Sequence, residues 1–391
     1  MHREGAMIVP TEGELDESIY DFHPLPPAPS YDLPLWKKHS EGKLQGNMDS
    51  ESKKLFKQRY DSQKNLFAGD QDIFTKTFVE RYRRESFKDM KSTADIMDII
   101  GCCFFPTRSA PVVINANDFI GDRACALTPT YLYDNNSLKL VVSTPFSFRK
   151  KKLPTIVAVA PVGLDCNHDV WLWQGKVWAS FLNANVIYVC FRPVPEFEDP
   201  ARMLDVVAAI KWASTKGAEL YSFDVSRLGL LASSAGAFLA TVAALELSAR
   251  GDNGLLKSVF LEVPGIFPND MMGPYENMSE FQKFINSRVN FAQYVWFAGG
   301  EDNQADWEKR FKDKDLSIHC LHAPLELMKK LPPHIIITAE FDDFRWQTDQ
   351  YAAKLSEAGA LADYIIYPSA VHMTIPMNQG SLLQEAVRIY L

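Results

Sequence analysis

The sequence predicts an α/β fold: a mostly parallel central sheet flanked by helices, with an N-terminal helical cap or extension. Three observations point to it. From Leu153 onward short apolar runs alternate with helical patterns, which is how a chain builds βαβ units. One run, Ile156-Val157-Ala158-Val159-Ala160, is apolar without a break, as a strand covered on both faces must be. Finally, Leu228 to Ala240 passes from apolar strand to apolar helix through Ser233-Ser234-Ala235-Gly236, a turn made only of small residues.

In chain order, the stretch from Met1 to about Lys43 is rich in Pro and acidic residues, as in Pro24-Leu25-Pro26-Pro27-Ala28-Pro29. It carries no sustained period and reads as extended. From Ser50 to Ile100 the aromatics Phe56, Tyr60, Phe67, Phe74, Phe78 and Tyr82 recur at near-helical intervals among charged residues, predicting two or three helices. Such spacing serves core packing or a lid, and both readings stay open. Ala124 to Tyr133 and Leu138 to Thr144 are β-prone, and Asp134-Asn135-Asn136 between them reads as a hairpin turn. The strands expected next are Thr155 to Ala160, Val186 to Cys190, Leu228 to Ala232, Val259 to Val263, His334 to Thr338 and Asp363 to Tyr367. Helices are expected near Gly175 to Leu182, Met203 to Lys216, Ala235 to Arg250 and Gln347 to Ala358. Pro268 to Lys314, rich in Met and aromatics, interrupts the alternation and reads as an insertion over the site.

The net charge of -8 and the lack of a long Lys/Arg cluster argue against nucleic acid as a partner. The short basic run Arg149-Lys150-Lys151-Lys152 reads as a solvated turn before a buried strand. No apolar stretch reaches the roughly 18 residues of a membrane span, and the acidic start has no apolar signal core, so the expected location is cytoplasmic. Six irregularly spaced cysteines in a chain this long read as free thiols, with a disulfide through Cys102 or Cys103 the alternative.

The small-residue turn carries the chemistry. A nucleophile elbow needs small residues two positions either side of its nucleophile, because strand and helix backbones approach closely there. Ala232 and Gly236 meet that need around Ser234; shifting the nucleophile to Ser233 would put the bulky Leu231 at a small-residue position. The turn also places the Ala235 backbone N–H beside Ser234 as an oxyanion donor. A serine hydroxyl needs a base and an orienting acid, which on such a sheet follow in the order Ser, acid, His. Asp342, with Asp343 as competitor, follows the strand His334 to Thr338, and His372 lies on the loop after Asp363 to Tyr367. His334 falls at the wrong strand end, His319 and His322 precede it, and His168 is the remaining histidine near the expected site.

Four blocks resemble the hormone-sensitive-lipase family of α/β-hydrolases, the group of carboxylesterases and arylacetamide deacetylases, across about Leu138 to Leu391. Ala232-Ser233-Ser234-Ala235-Gly236 is similar to the family's Gly-Asp-Ser-Ala-Gly, and Phe191-Arg192-Pro193-Val194-Pro195-Glu196 to its noncatalytic Tyr-Arg-Leu-Ala-Pro-Glu. Ala339-Glu340-Phe341-Asp342 with Arg345 matches the acid block, which selects Asp342 over Asp343, and Tyr351 to Gly359 with Tyr367 and His372 completes the histidine block. The departure is Ala160-Pro161-Val162-Gly163 where the family has His-Gly-Gly-Gly, so Val162 and Gly163 inherit the oxyanion roles beside Ala235. Valine disfavours backbone angles that glycine adopts freely.

The resemblance implies an α/β-hydrolase fold. The residue pattern divides the chain into an N-terminal extension and helical cap over residues 1–110 and a catalytic domain over 111–391, with a cap insertion expected at 268–314. The expected function is a serine hydrolase cleaving a carboxylic ester by a Ser-His-Asp acyl-enzyme mechanism, with no metal and no cofactor, on a fairly apolar small-molecule or lipid-like ester. Trp171 and Trp173 are candidate substrate contacts, though they serve equally to pack their helix on the sheet. Two alternatives stand beside it. One uses the same triad for amide hydrolysis, acyl transfer or elimination; the other is a non-catalytic ligand-binding protein on a hydrolase scaffold, which the altered oxyanion loop favours.

Overall fold

A computed structural model describes residues 107–145, 152–161, 168–192, 197, 199–221, 223–266, 309–310, 312–342, 344–372 and 387–391. The expected N-terminal helices lie outside these residues, as do Val162, Gly163, Asp343 and nearly all of the 268–314 insertion.

Eight strands form one sheet: β1 (Thr107–Ile114), β2 (Leu138–Pro145), β3 (Pro154–Val159), β4 (Asn185–Cys190), β5 (Asp224–Ser233), β6 (Ser258–Glu262), β7 (His334–Phe341) and β8 (Leu361–Val371). Their spatial order is β1-β2-β4-β3-β5-β6-β7-β8. Strands β3 to β8 pair in parallel, and β2 lies antiparallel to both β1 and β4. The apolar runs of β3, β4 and β5 occupy the middle of the sheet, where both faces are covered. Alternate residues feed two clusters: Val157, Val159, Leu230, Ala232 and Leu261 join the larger one, while Ile156, Ala158, Leu231, Phe260 and Ile337 join the smaller.

Helices α1 (Asn117–Ile120), α2 (His168–Leu182), α3 (Ala201–Ser214), α4 (Lys216–Tyr221), α5 (Ala235–Arg250), α6 (Leu325–Met328) and α7 (Arg345–Ala358) connect the strands. Helix α5 is buried from Gly236 to Ser248, as its nearly uniform apolar sequence requires. It stops where Gly251 adopts φ 82°, a left-handed cap that a β-carbon would strain. Arg192, after β4, donates to Asp205 of α3 at 2.8 to 3.2 Å through its backbone N–H and guanidinium and to the Asp134 carbonyl at 2.8 Å. That pairing gives the Phe191-Arg192 block a structural role.

Two expectations change. Residues 124–133 do not pair with β2 as a hairpin; they hold a single bridge, Ala124 to Leu132, and β2 pairs instead with β1. Asp134 and Asn136 instead accept from the Asn117 side chain, and Asn135 reaches inward to Asp205 at 3.0 Å, so this polar triplet ties down a loop. Pro111 masked β1 in the sequence, since proline cannot donate to a ladder; β1 is an edge strand, where that loss is tolerated. Likewise β8 runs through Pro368 to Val371 rather than ending at Tyr367, on the opposite edge of the sheet and past a register shift against β7. His372 therefore follows its strand directly.

Candidate active site

The site is built where β5, β7 and β8 end at the same side of the sheet. At the end of β5 the chain must reverse into α5 within one residue. Ser234 makes that reversal with φ 49° and ψ -123°, a conformation that residues bearing a β-carbon rarely adopt. The turn is possible because Gly236 has no side chain: a β-carbon there would lie 2.4 Å from the Val159 carbonyl oxygen and 2.5 Å from that of Ala160. Ala235 begins α5, where backbone N–H groups have no partner within the helix.

Asp342 follows β7 with its side chain fully buried, and its Oδ1 accepts from the backbone N–H of Phe344 at 2.8 Å. The same oxygen faces Nδ1 of His372 at 3.0 Å, and Nε2 of His372 faces Oγ of Ser234 at 2.8 Å. A carboxylate only accepts, so Nδ1 carries the proton and Nε2 is left to accept from the serine hydroxyl. The Phe344 ring lies 4.9 Å from the imidazole, covering one side of it. The arrangement can take a proton from Ser234 and stabilise the resulting imidazolium.

A further carboxyl stands beside this chain of groups. Glu262, the last residue of β6, pairs in register with Ser233, and its carbonyl accepts the Ser234 N–H at 3.0 Å. Its side chain is only partly sealed from solvent, yet burial pushes the carboxyl up to about 7, against the opposing pull of His372.

Comparisons with known proteins identify the family. A family profile described as alpha/beta hydrolase fold matches residues 174–375, just over half of the chain. The chain belongs to the α/β-hydrolase family, in the branch that contains the hormone-sensitive-lipase-like carboxylesterases. It is 29% identical over 190 residues to an arylesterase of Saccharolobus solfataricus, covering 47% of this chain and 56% of that protein. An ethyl acetate hydrolase of Pseudomonas putida is 26% identical over 234 residues, covering 58% and 65%. The matches thus span less than two thirds of either relative. A thermostable esterase from Pseudomonas putida shares the fold, with a TM-score of 0.58 at 20% identity over 83% of this chain and 99% of the other.

In this α/β-hydrolase, Ser234, Asp342 and His372 are brought together, and Ala235 stands next to Ser234 at the helix start. Ser233 is the last residue of β5 and buried within the sheet. The other histidines among the described residues have structural surroundings. His168 reaches the Tyr188 hydroxyl at 3.2 Å and the Phe191 carbonyl at 2.7 Å, His334 is buried under the sheet, and His319 stacks on His322 at 4.1 Å. Trp171 and Trp173 stack on each other at 6.5 Å in the first two turns of α2, half-buried, with Trp171 resting on the larger cluster. Cys125, Cys190 and Cys320 are free thiols, and no helix among the described residues is long and apolar enough to cross a membrane. Sequence reasoning missed Glu262, although a carboxyl closing the apolar run Val259-Phe260-Leu261 was a visible signal. It also missed Phe344, whose role depends on a ring contact that spacing does not reveal.

Proposed function

We propose that the protein is a serine hydrolase that cleaves carboxylic esters through an acyl-enzyme. The observation that carries this reading is the unbroken contact from Asp342 through His372 to Ser234, at 3.0 and 2.8 Å, on a strained turn. His372, oriented by Asp342, takes the Ser234 proton as Oγ attacks the ester carbonyl. The tetrahedral oxyanion is held by the N–H of Ala235 with those of Val162 and Gly163. The imidazolium then returns the proton to the departing alkoxide, leaving an alcohol and an acyl-Ser234. Water, deprotonated by His372, attacks the acyl carbon, and the proton goes back to Ser234 as the acid is released. Every proton taken is returned, so the cycle consumes no external acid or base.

The substrate we assign is a fairly apolar small ester. The names of the relatives, an arylesterase and an ethyl acetate hydrolase, support this class. Trp171 and Trp173 are proposed as part of its apolar wall, with the residues preceding β1 and the 268–314 insertion as the covering cap. The test is turnover of p-nitrophenyl esters of graded chain length, with fluorophosphonate labelling, by wild type and Ser234→Ala. We expect turnover and labelling in wild type and the loss of both in the variant. A folded wild type that does neither would overturn the proposal.

A further inference from the structure

The segment 262–266, running from the last residue of β6 toward the insertion, brackets the backbone of Ser234 without contributing a reacting atom. Its Glu262 carbonyl accepts the Ser234 N–H at 3.0 Å, and its Gly265 N–H donates to the Ser234 carbonyl at 3.0 Å. The residue with the strained backbone is therefore clipped on both sides by one short stretch of chain. That stretch is strained too: Val263 has φ 40°, an outlier for a β-branched residue, and its N–H is held by the Ile337 carbonyl at 2.7 Å. Two adjacent strained turns persist only if something outside them over-determines their geometry.

That support comes from α7, the helix that follows Asp342. Gln347 Oε1 accepts the N–H of Ile266 at 3.1 Å, and the Thr348 hydroxyl lies 3.1 Å from the Pro264 carbonyl and 3.0 Å from that of Phe344, sharing its single proton between them. Both side chains are fully buried, where polar groups are retained only with partners. Gly265 lies against the ring of Phe344, so that a β-carbon would come within 3.3 Å of it, and Phe344 in turn covers His372. A hydrogen-bonded path thus runs from the helix of the acid to the backbone of the nucleophile, independent of the path through the imidazole.

We propose that Gln347 and Thr348 are positioning residues: by holding residues 264–266 on α7 they fix the Ser234 turn at its working distance from Asp342 and His372. This rests on the proposed ester hydrolysis for its kinetic consequence but not for its structural one. The experiment compares Gln347→Met, Thr348→Val and Thr348→Ser with wild type, by amide hydrogen exchange of peptides spanning 228–240 and by kcat and KM on a p-nitrophenyl ester. Val keeps the shape and loses the hydroxyl, whereas Ser keeps the hydroxyl and loses a methyl. We expect exchange at the Ser234 turn to rise about tenfold in Gln347→Met and Thr348→Val. In both, kcat should fall about tenfold with KM within about twofold of wild type, since a small misplacement of a reacting group costs rate rather than binding. Thr348→Ser should behave as wild type. Unchanged exchange in both Gln347→Met and Thr348→Val would overturn the proposal, as would Thr348→Ser behaving like Thr348→Val. Should wild type fail to turn over any ester, the ester reading falls and the exchange measurement alone decides this one.

Discussion

At the N-terminal end of β7 the imidazole of His334 is fully buried, its Nδ1 donating to the Pro332 carbonyl at 2.7 Å and its Nε2 facing the Tyr351 hydroxyl at 3.2 Å. At the C-terminal end of β8 the imidazole of His372 keeps 21% of its side chain exposed, with a carboxylate on one nitrogen and a serine hydroxyl on the other. The first ring has only neutral groups around it, and burial pushes its pKa down to about 4. The second has Asp342 to stabilise a positive charge. The backbone follows the same division: the bottom of α5 ends in an unhindered glycine cap, and the top begins at a strained serine, with Gly236 two residues on packed against the end of β3. What distinguishes the candidate site's sheet end from the opposite one is a charge partner and backbone strain, not the presence of histidine.

The largest effect should come from removing that charge partner. Asp342→Asn is expected to lower kcat about 10⁴-fold, because an amide no longer enforces the tautomer that leaves Nε2 free to accept. His334→Gln should leave kcat within a few-fold while lowering Tm. Ester turnover and thermal unfolding of the two variants check the contrast, and comparable kcat losses in both would dissolve it.

Glycine substitutions sharpen the backbone half of the comparison. Gly236→Ala forces a β-carbon against two carbonyl oxygens at 2.4 and 2.5 Å and should destabilise by about 3 kcal/mol, with loss of turnover as the elbow is displaced. Gly251→Ala meets nothing within 4 Å and bears only the cost of its φ of 82°, about 1 kcal/mol. Chemical denaturation of the pair measures the difference; equal losses would mean that close approach is not what Gly236 provides.

The site and the sheet interior were legible for one reason: each depends on a local pattern. Uninterrupted apolar runs announced β3 and β4, and α5 was expected and found over Ala235 to Arg250, its start marked by the elbow. Ser234 was selected by Ala232 and Gly236, a steric requirement confined to five residues. The edges were not legible, because Pro111 and Pro368 argue against strand wherever both sides must pair, and sequence does not say which strand is last in the sheet. The Gln347 and Thr348 contacts to residues 264–266 were hidden as well, since they join segments more than eighty residues apart.

Proton linkage separates the two ends by pH. His334 is held neutral with a folded pKa near 4, below the usual 6.5, and His319 is pushed down to about 3 by burial and then by His322. A depressed imidazole contributes stability that is present above about 6.5 and lost as pH falls toward the folded value. Wild type should therefore lose on the order of 2 kcal/mol more than His334→Gln between pH 7 and 4.5. Parallel stability curves for the two proteins over that range would contradict the assignment.

The smallest effect belongs to Glu262, and its sign is opposite. Its folded pKa of about 7 lies above the ordinary 4.5 because burial disfavours the carboxylate, with His372 offsetting part of that cost. The folded state therefore binds the proton more tightly than the unfolded state, and the stability this residue contributes is full below about 4.5 and lost as pH rises through 7. Glu262→Gln carries no such charge, so Tm of the variant minus that of wild type should grow by a few degrees between pH 5 and pH 8. A difference that stays flat across this range would mean that the carboxyl is solvated when ionised. Only the pH dependence of the difference bears on the question, because any constant offset reports packing of the amide and not titration.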